Sequence, residues 1–276
     1  MNQELEAKME SLLDNGIYKS PYDTRSYRYQ TLKNGIKLLI ISDIHDSEEF
    51  HQTDTSESDD HISEQDSASD YNDSIESPTK NTASIAVCVH SGYLNDPPDI
   101  PGLSHFLEHM LFMGSEKFPD PSDFGDFISG HGGNYNAYTC MEQVNFFFSL
   151  PIQFFDQALE RFAHFFISPL LVKETMESEL IAVDNEFQSA RMSDELRSDR
   201  LLQLSMIPDH PASYFSNGNL ITLKTNIDKC AIDLRERVKQ HWEHFYAPQI
   251  MSAVIFAPTS LNIIEQSVLS HLNNIP

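Results

Sequence analysis

The stretch GLSHFLEHMLFMG, residues 102–114, places two histidines and a glutamate in a run of otherwise mostly apolar residues. The apolar positions from about Leu103 to Met113 recur at helical spacing, which predicts a helix that packs against a core. His105 and His109 are four residues apart and therefore lie one above the other on one face of that helix. Because burying such side chains costs free energy unless a partner satisfies them, the stretch predicts a partner.

The spacing of these side chains suits a zinc ion. Two imidazoles one helical turn apart can bind a single tetrahedral zinc. Glu108, directly before His109, lies beside the same face, where its carboxylate can accept a proton from a metal-bound water. The pattern H-x-x-E-H is the inverted form of the H-E-x-x-H zinc-peptidase helix. The competing interpretation is a pair of core histidines with a capping or ion-paired glutamate, since short motifs also occur by chance.

The net charge of −24 is concentrated in one segment of the chain. Residues 43–80 contain thirteen Asp and Glu against one Lys, or −12, half of the total. The segment is rich in Ser, Thr and Asn and poor in apolar residues, a composition typical of a disordered insertion. It is either a solvated spacer or an acidic arm that recruits basic peptides or polyamines. Nucleic acid is not an expected partner for so acidic a chain.

Composition also limits the cellular setting that we expect. No apolar run reaches the length of a membrane span, and the first twenty residues lack the apolar core of a signal peptide, so we expect a cytoplasmic protein. Cys88, Cys140 and Cys230 are too few and too scattered for a disulfide framework. Cys88 and Cys140 lie in runs that predict buried strands, so packed free thiols are expected.

The order of predicted elements favours an α+β fold with a mixed, largely antiparallel sheet covered by helices. Strands are predicted on both sides of the Asn34-Gly35 turn, after the acidic segment, as a hairpin over 134–150, and in MSAVIFA near the end. The acidic segment would then connect neighbouring strands. Helices are predicted at about 103–113, 152–167, 172–192, 194–206, 231–246 and from 261 onward, with a short one in SDFGDFISG.

The chain resembles the pitrilysin and insulin-degrading-enzyme family of inverzincin metallopeptidases. The likeness rests on PGLSHFLEHMLFMGSEKFP, on SELIAVDNEFQSARMSD at 178–194, on HGGNYNAYT at 131–139 and on HPASYFSNGNLITL at 210–223. It implies one zinc per chain, with His105 and His109 as ligands and Glu186 as the third. Glu179, two helical turns before Glu186 on the same face, would be the carboxylate that orients a ligand.

Within this family, the acidic insertion before the zinc helix resembles the nardilysin type. The likeness implies a pitrilysin-type N-terminal peptidase domain at 21–276, interrupted at 43–80, after an N-terminal extension at 1–20. It also implies that NYNAYT is an edge strand to which the substrate adds as a further strand, with Asn136, Ala137 and Tyr138 lining the cleft. On sequence alone, ordinary strand packing explains these residues equally well.

The resemblance implies a zinc metalloendopeptidase that hydrolyses basic peptides at dibasic sites, on the N-terminal side of Arg. Glu108 would act as the general base. The alternative is a weak or inactive fragment that serves as a binding or scaffold domain; the intact set of Glu108 and three ligands favours the enzyme. A purely structural zinc site is disfavoured, since such sites usually use four Cys or His ligands. The likeness extends only to the first domain of larger enzymes, so further domains are expected partners.

Overall fold

The structure is a computed structural model that describes residues 13–14, 17–44 and 81–276. Residues 45–80 of the acidic insertion predicted at 43–80, and most of the extension predicted at 1–20, lie outside these residues. A short pair of strands at 13–14 and 17–18 precedes the main sheet.

A six-stranded mixed sheet forms one layer of the described structure. Its strands are β1 (Ser26–Thr31), β2 (Lys37–Ser42), β3 (Thr82–Val89), β4 (Asn134–Thr139), β5 (Val144–Pro151) and β6 (Met251–Ala257). Their order across the sheet is β1-β2-β6-β3-β5-β4. The β2–β6 pair is parallel and the other four pairs are antiparallel.

Eight α-helices are found in the described residues. They are α1 (Leu103–Leu111), α2 (Asp123–Gly130), α3 (Phe155–Ile167), α4 (Lys173–Ala190), α5 (Asp194–Leu204), α6 (Asn226–Lys229), α7 (Leu234–Phe245) and α8 (Leu261–Leu272). A π-helical turn, Ile221–Thr225, leads directly into α6.

The four central strands alternate between buried and more exposed residues, as their sequences predict. Every second residue of β3 and β5 is buried, which gives the sheet one apolar face. Aromatic side chains from β5, α2 and α3 pack together on that face. Ring contacts of 4.8–6.1 Å join Phe124, Phe148, Phe162, Phe165 and Phe166. Phe112, directly after α1, contacts Phe124 and Phe165, so the aromatic layer supports the end of that helix.

The predicted α+β fold with a mixed, largely antiparallel sheet is confirmed. The prediction that the acidic segment connects neighbouring strands is wrong. The strands before and after it, β2 and β3, are separated in the sheet by β6. Strand periodicity predicts which face a residue occupies but not the order of strands in the sheet. Most predicted helices are present, with ends shifted by a few residues.

The prediction of buried thiols is wrong for Cys140. This residue lies just after β4 in the turn toward β5 and is exposed, whereas Cys88 in β3 is half-buried. All three cysteines are free thiols, as expected. Among the described helices, none has the length and apolar composition needed to cross a bilayer.

We expect the aromatic layer to be a major source of stability. Replacing Phe148 with Ala should lower the free energy of unfolding by about 3–5 kcal/mol, since Phe148 is 1 % exposed and its loss leaves a cavity. Its neighbour Phe147, half-buried on the other face of β5, is the matched control, and Phe147→Ala should cost clearly less. Urea titrations followed by circular dichroism measure both; equal losses would contradict this packing.

Candidate metal centre

Two glycines set the position at which α1 begins. Gly102 precedes the helix with a φ of 93°, a left-handed conformation that favours glycine. Its backbone packs against Gly218: a Cβ added at Gly102 would lie 2.3 Å from the Cα of Gly218. Since a Cβ cannot fit there, the close approach requires glycine at 102. It brings the chain at 216–218 against the first turn of α1.

A buried carboxylate caps the same helix end. Asp96 accepts hydrogen bonds from the backbone N–H groups of Gly102 (2.7 Å) and Ser104 (2.8 Å) and from the Ser104 hydroxyl (2.6 Å). Ser104 Oγ also lies 3.1 Å from Nε2 of His241. Burial raises the pKa of Asp96 to about 6 and lowers that of His241 to about 4. These contacts satisfy buried polar groups and hold the residue before His105.

The two histidines of α1 face Glu186 of α4. Glu186 Oε2 lies 3.5 Å from Nε2 of His105 and 3.4 Å from Nε2 of His109. One ligand atom from each of the three residues lies within 4.8 Å of the others. The seven-residue spacing of Glu179 and Glu186 puts both carboxylates on the face of α4 that meets α1. The structure therefore brings together all three residues predicted to be ligands.

The outer ring nitrogens of both histidines are already bonded. His105 Nδ1 donates to the carbonyl oxygen of Asn217 at 2.6 Å, and His109 Nδ1 donates to Oε2 of Glu179 at 3.2 Å. Because each partner is an acceptor, Nδ1 carries the proton in both rings, which directs both Nε2 atoms toward Glu186. Hydrogen bonds of this kind orient the histidines of metal sites. The set of two imidazole nitrogens and one carboxylate oxygen fits zinc with one open position.

The charges of the site interact strongly. Burial alone would lower the pKa of His109, but hydrogen bonds to Glu179 and Glu186 and the charge of Glu108 raise it to about 9. The hydrogen bond with His109 lowers the pKa of Glu186. The arrangement thus favours positive charge between these side chains, as a site for a divalent cation requires.

Glu108 lies apart from this trio, on the side of α1 that faces β4. The residue is 6 % exposed, and its Oε2 accepts a hydrogen bond from the Thr139 hydroxyl. Burial raises the pKa of Glu108, while the Thr139 bond and the two histidines act in the opposite direction. A carboxylate with increased proton affinity beside a metal site has the properties of a general base.

A cavity of about 540 Å³ contains all of these groups. One wall is β4, the edge strand of the sheet, in which Tyr135 and Tyr138 are 39 % and 47 % exposed. Asn136, Ala137 and Tyr138, the predicted substrate-binding residues, line this cavity. The Oδ1 of Asn136 accepts from the N–H of Ala137 at 2.9 Å. The roles of these residues remain predictions, as do those of the ligands and of Glu108.

Two of the contacts that shape the site could not be predicted from the sequence. Asn217 acts through its backbone carbonyl, which no side-chain pattern reveals. Thr139 is the last residue of β4 and reads as an ordinary strand residue. The one available signal was Gly218, a glycine in a polar loop, which is typical of a close backbone approach.

The chain is similar to known proteins in both sequence and structure. Residues 73–212 match the family model described as insulinase, peptidase family M16. The chain belongs to this family. It is 35 % identical over 263 residues to insulin-degrading enzyme of Mus musculus and 34 % identical over 305 residues to nardilysin of Homo sapiens. Each alignment covers 95 % of the chain.

The solved structure of pitrilysin is also similar, with a TM-score of 0.77 and 29 % identity over 94 % of the chain. The predicted family and pitrilysin-type fold are thereby confirmed. The chain spans 22 % of the length of the insulin-degrading enzyme and 26 % of that of nardilysin.

We expect Glu179 to matter for metal binding although it is not a predicted ligand. Glu179→Ala removes the acceptor of His109 Nδ1 and should weaken zinc binding about 10- to 100-fold. The matched control is Glu177→Ala, an exposed position on the same helix, which should leave affinity unchanged. Competition with a chromophoric chelator measures both constants. Equal affinities for the two variants would show that Glu179 does not orient the site.

Proposed function

We propose that the chain is the metal-binding domain of a zinc metalloendopeptidase. The observation that carries this proposal is the convergence of His105, His109 and Glu186, with ligand atoms within 4.8 Å, beside the buried carboxylate of Glu108. Membership of peptidase family M16 supports it. The pattern is the inverted H-x-x-E-H arrangement, in which the glutamate before the second histidine is free to act on water.

In this proposal the three ligands hold one zinc ion per chain. When bound, zinc lowers the pKa of a coordinated water to about 7 and polarises the peptide carbonyl. His105 and His109 contribute neutral Nε2 atoms because their Nδ1 protons are held by Asn217 and Glu179. The carboxylate of Glu186 makes the site less positive than a set of three histidines would.

Glu108 provides the proton transfer. One carboxylate oxygen accepts the proton of the attacking water and then delivers it to the leaving amine nitrogen. The Thr139 hydroxyl donates a hydrogen bond to Oε2 of Glu108 and so holds the carboxylate in place. Since burial raises the pKa of Glu108, it binds that proton more readily than an exposed carboxylate would.

The substrate would lie along β4. An extended peptide can add to this edge strand through backbone hydrogen bonds, with Asn136, Ala137 and Tyr138 beside it. All three line the cavity that holds Glu108, so a peptide bound there would pass the proposed base. Asn136 would hydrogen-bond the peptide near the bond to be cleaved.

We further propose that the enzyme cleaves at dibasic sites, on the N-terminal side of Arg. The similarity to nardilysin and the net charge of −24 support a basic substrate. The peptidase domain would comprise residues 21–276, with the acidic insertion at 43–80 modulating the binding of basic substrates or polyamines. Further domains of a larger enzyme would complete the substrate cleft.

Two substitutions separate metal binding from hydrolysis. Glu186→Gln should weaken zinc binding about 10-fold or more, whereas Glu108→Gln should keep one zinc and lose cleavage of a peptide with a single Arg-Lys pair. Glu174→Gln, at an exposed position of α4, is the control and should change neither. Elemental analysis gives the zinc content, and mass spectrometry gives the cleaved bond.

The outcomes distinguish the proposal from the alternative of a scaffold domain. A scaffold domain would bind zinc or peptide but would not hydrolyse the peptide, so Glu108→Gln would have no cleavage to abolish. Absence of zinc from the wild type after dialysis against metal-free buffer would refute the assignment of ligands.

The acidic insertion generates a separate prediction. Replacing residues 45–78 with an uncharged Gly/Ser linker of equal length should weaken binding of basic peptides, more at low salt than at high, because exposed charges are screened. Isothermal titration at two salt concentrations measures the change. Affinity that is unaffected at low salt would show that the insertion does not contribute to peptide binding.

A further inference from the structure

The segment at 215–220 carries the carbonyl group that orients His105. The carbonyl oxygen of Asn217 accepts the Nδ1 proton of the His105 ring at 2.6 Å. Because a backbone carbonyl turns with its segment, the direction of this ring depends on how residues 215–220 are held. The close approach of Gly102 and Gly218 holds them against α1. Their contacts with α4 lie on both sides of Asn217.

A hydrogen bond joins α4 to the segment after Asn217. Oδ1 of Asp184 accepts from the backbone N–H of Leu220 at 3.1 Å. Leu220 lies three residues after Asn217, and Asp184 lies two residues before Glu186 in α4. The bond therefore attaches the segment to α4 close to the proposed ligand of that helix.

The N–H groups that begin the π-helical turn are divided between two acceptors. The first N–H groups of a helix have no partner within it. Oδ1 of Asn219 accepts those of Ile221 and Thr222, both at 3.0 Å, inside the same segment. The N–H of Leu220 bonds instead to Asp184, on a different helix. Of these three bonds, it is the one that fixes the turn relative to α4.

An aromatic contact joins α4 to the segment before Asn217. The rings of Phe187 and Phe215 meet edge to face, with centroids 5.2 Å apart. Phe187 directly follows Glu186 in α4. A single turn of α4 thus holds the segment at both ends, with the Asn217 carbonyl between the two contacts.

We propose that Asp184 is a positioning residue for His105. Its bond to Leu220 holds the Asn217 carbonyl in the direction that accepts the Nδ1 proton of His105. Nε2 of the same ring then faces Glu186, on the same turn of α4 as Asp184. The inference rests on the proposed peptidase function and adds a residue that contacts neither metal nor substrate.

The ring proton of His105 reports on this role. In metal-free chain that contains isotope-labelled histidine, NMR measures how fast each Nδ1 proton exchanges with water, and the signal lost in His105→Gln is assigned to His105. Asp184→Ala should raise the exchange rate of His105 about 10-fold, as expected for the loss of one hydrogen bond to a charged acceptor. The Nδ1 proton of His109, bonded to Glu179, should be unaffected and is the control within the same molecule.

The same bond can be removed from its donor end. Leu220 has a φ of −58°, which proline adopts, and proline is tolerated at the start of a helix. Leu220→Pro deletes the N–H and should raise His105 exchange by a similar factor. Leu220→Ala keeps the N–H and should leave the rate nearly unchanged. The variant that combines Asp184→Ala with Leu220→Pro should exchange no faster than either alone, because both remove one interaction.

Zinc affinity provides a second readout. Asp184→Ala should weaken zinc binding about 10-fold, as loss of a residue that orients a ligand does. Asp184→Asn keeps an oxygen that can accept from Leu220 and should restore most of the affinity. Glu177→Ala, at an exposed position of the same helix, should leave it unchanged. Competition with a chromophoric chelator measures all three constants.

The outcomes separate this proposal from the proposed function. Unchanged His105 exchange in Asp184→Ala or in Leu220→Pro would overturn the role of Asp184, even in a chain that binds zinc and cleaves peptides. An equal rise for His109 would also overturn it, because it would show general loosening. Absence of zinc from the wild type would refute the proposed function, whereas the exchange rates of the metal-free chain would still test Asp184. If Asp184→Ala does not fold, Leu220→Pro and its Leu220→Ala control decide the question.

Discussion

Helix α1 enters the core with four polar side chains, and each of them needs a partner there. Each partner comes from a different part of the chain. Ser104 bonds to Asp96 and lies within reach of His241; His105 bonds to Asn217. Glu108 bonds to Thr139 of β4. His109 bonds to Glu179 of α4. An unsatisfied buried polar group costs about 1–3 kcal/mol. The hydrogen bonds that avoid this cost also position the residues of the site, so the same contacts stabilise the fold and build the site.

The same constraint explains the electrostatics. Three glutamates, at 108, 179 and 186, surround two imidazoles in a partly enclosed cavity. Hydrogen bonds to Glu179 and Glu186 raise the pKa of His109 to about 9 despite its burial, so the site stabilises positive charge strongly. A divalent cation can supply that charge when both imidazoles are neutral, and its binding then releases protons.

The sequence predicted those features that side-chain type and spacing determine. The four-residue spacing of His105 and His109 and the seven-residue spacing of Glu179 and Glu186 place side chains on one helix face, and the structure shows both pairs facing each other. Alternation in β5 predicted its buried face. Strand order could not be predicted this way, because β6 joins β2 and β3 through contacts distant in sequence. The role of the Asn217 carbonyl could not be predicted either, since every residue has a backbone carbonyl. The exposure of Cys140 was not predicted because periodicity does not show where β4 ends.

X-ray absorption spectroscopy at the zinc edge identifies the ligands of a bound zinc ion. For the zinc-loaded chain, we expect two imidazole nitrogens at about 2.0–2.1 Å, with oxygen donors completing four-coordination and no sulfur. The His109→Ala variant should show one imidazole fewer. A sulfur shell at about 2.3 Å, which only cysteine or methionine could supply, or an unchanged spectrum in His109→Ala, would contradict the assignment of the site to α1 and α4.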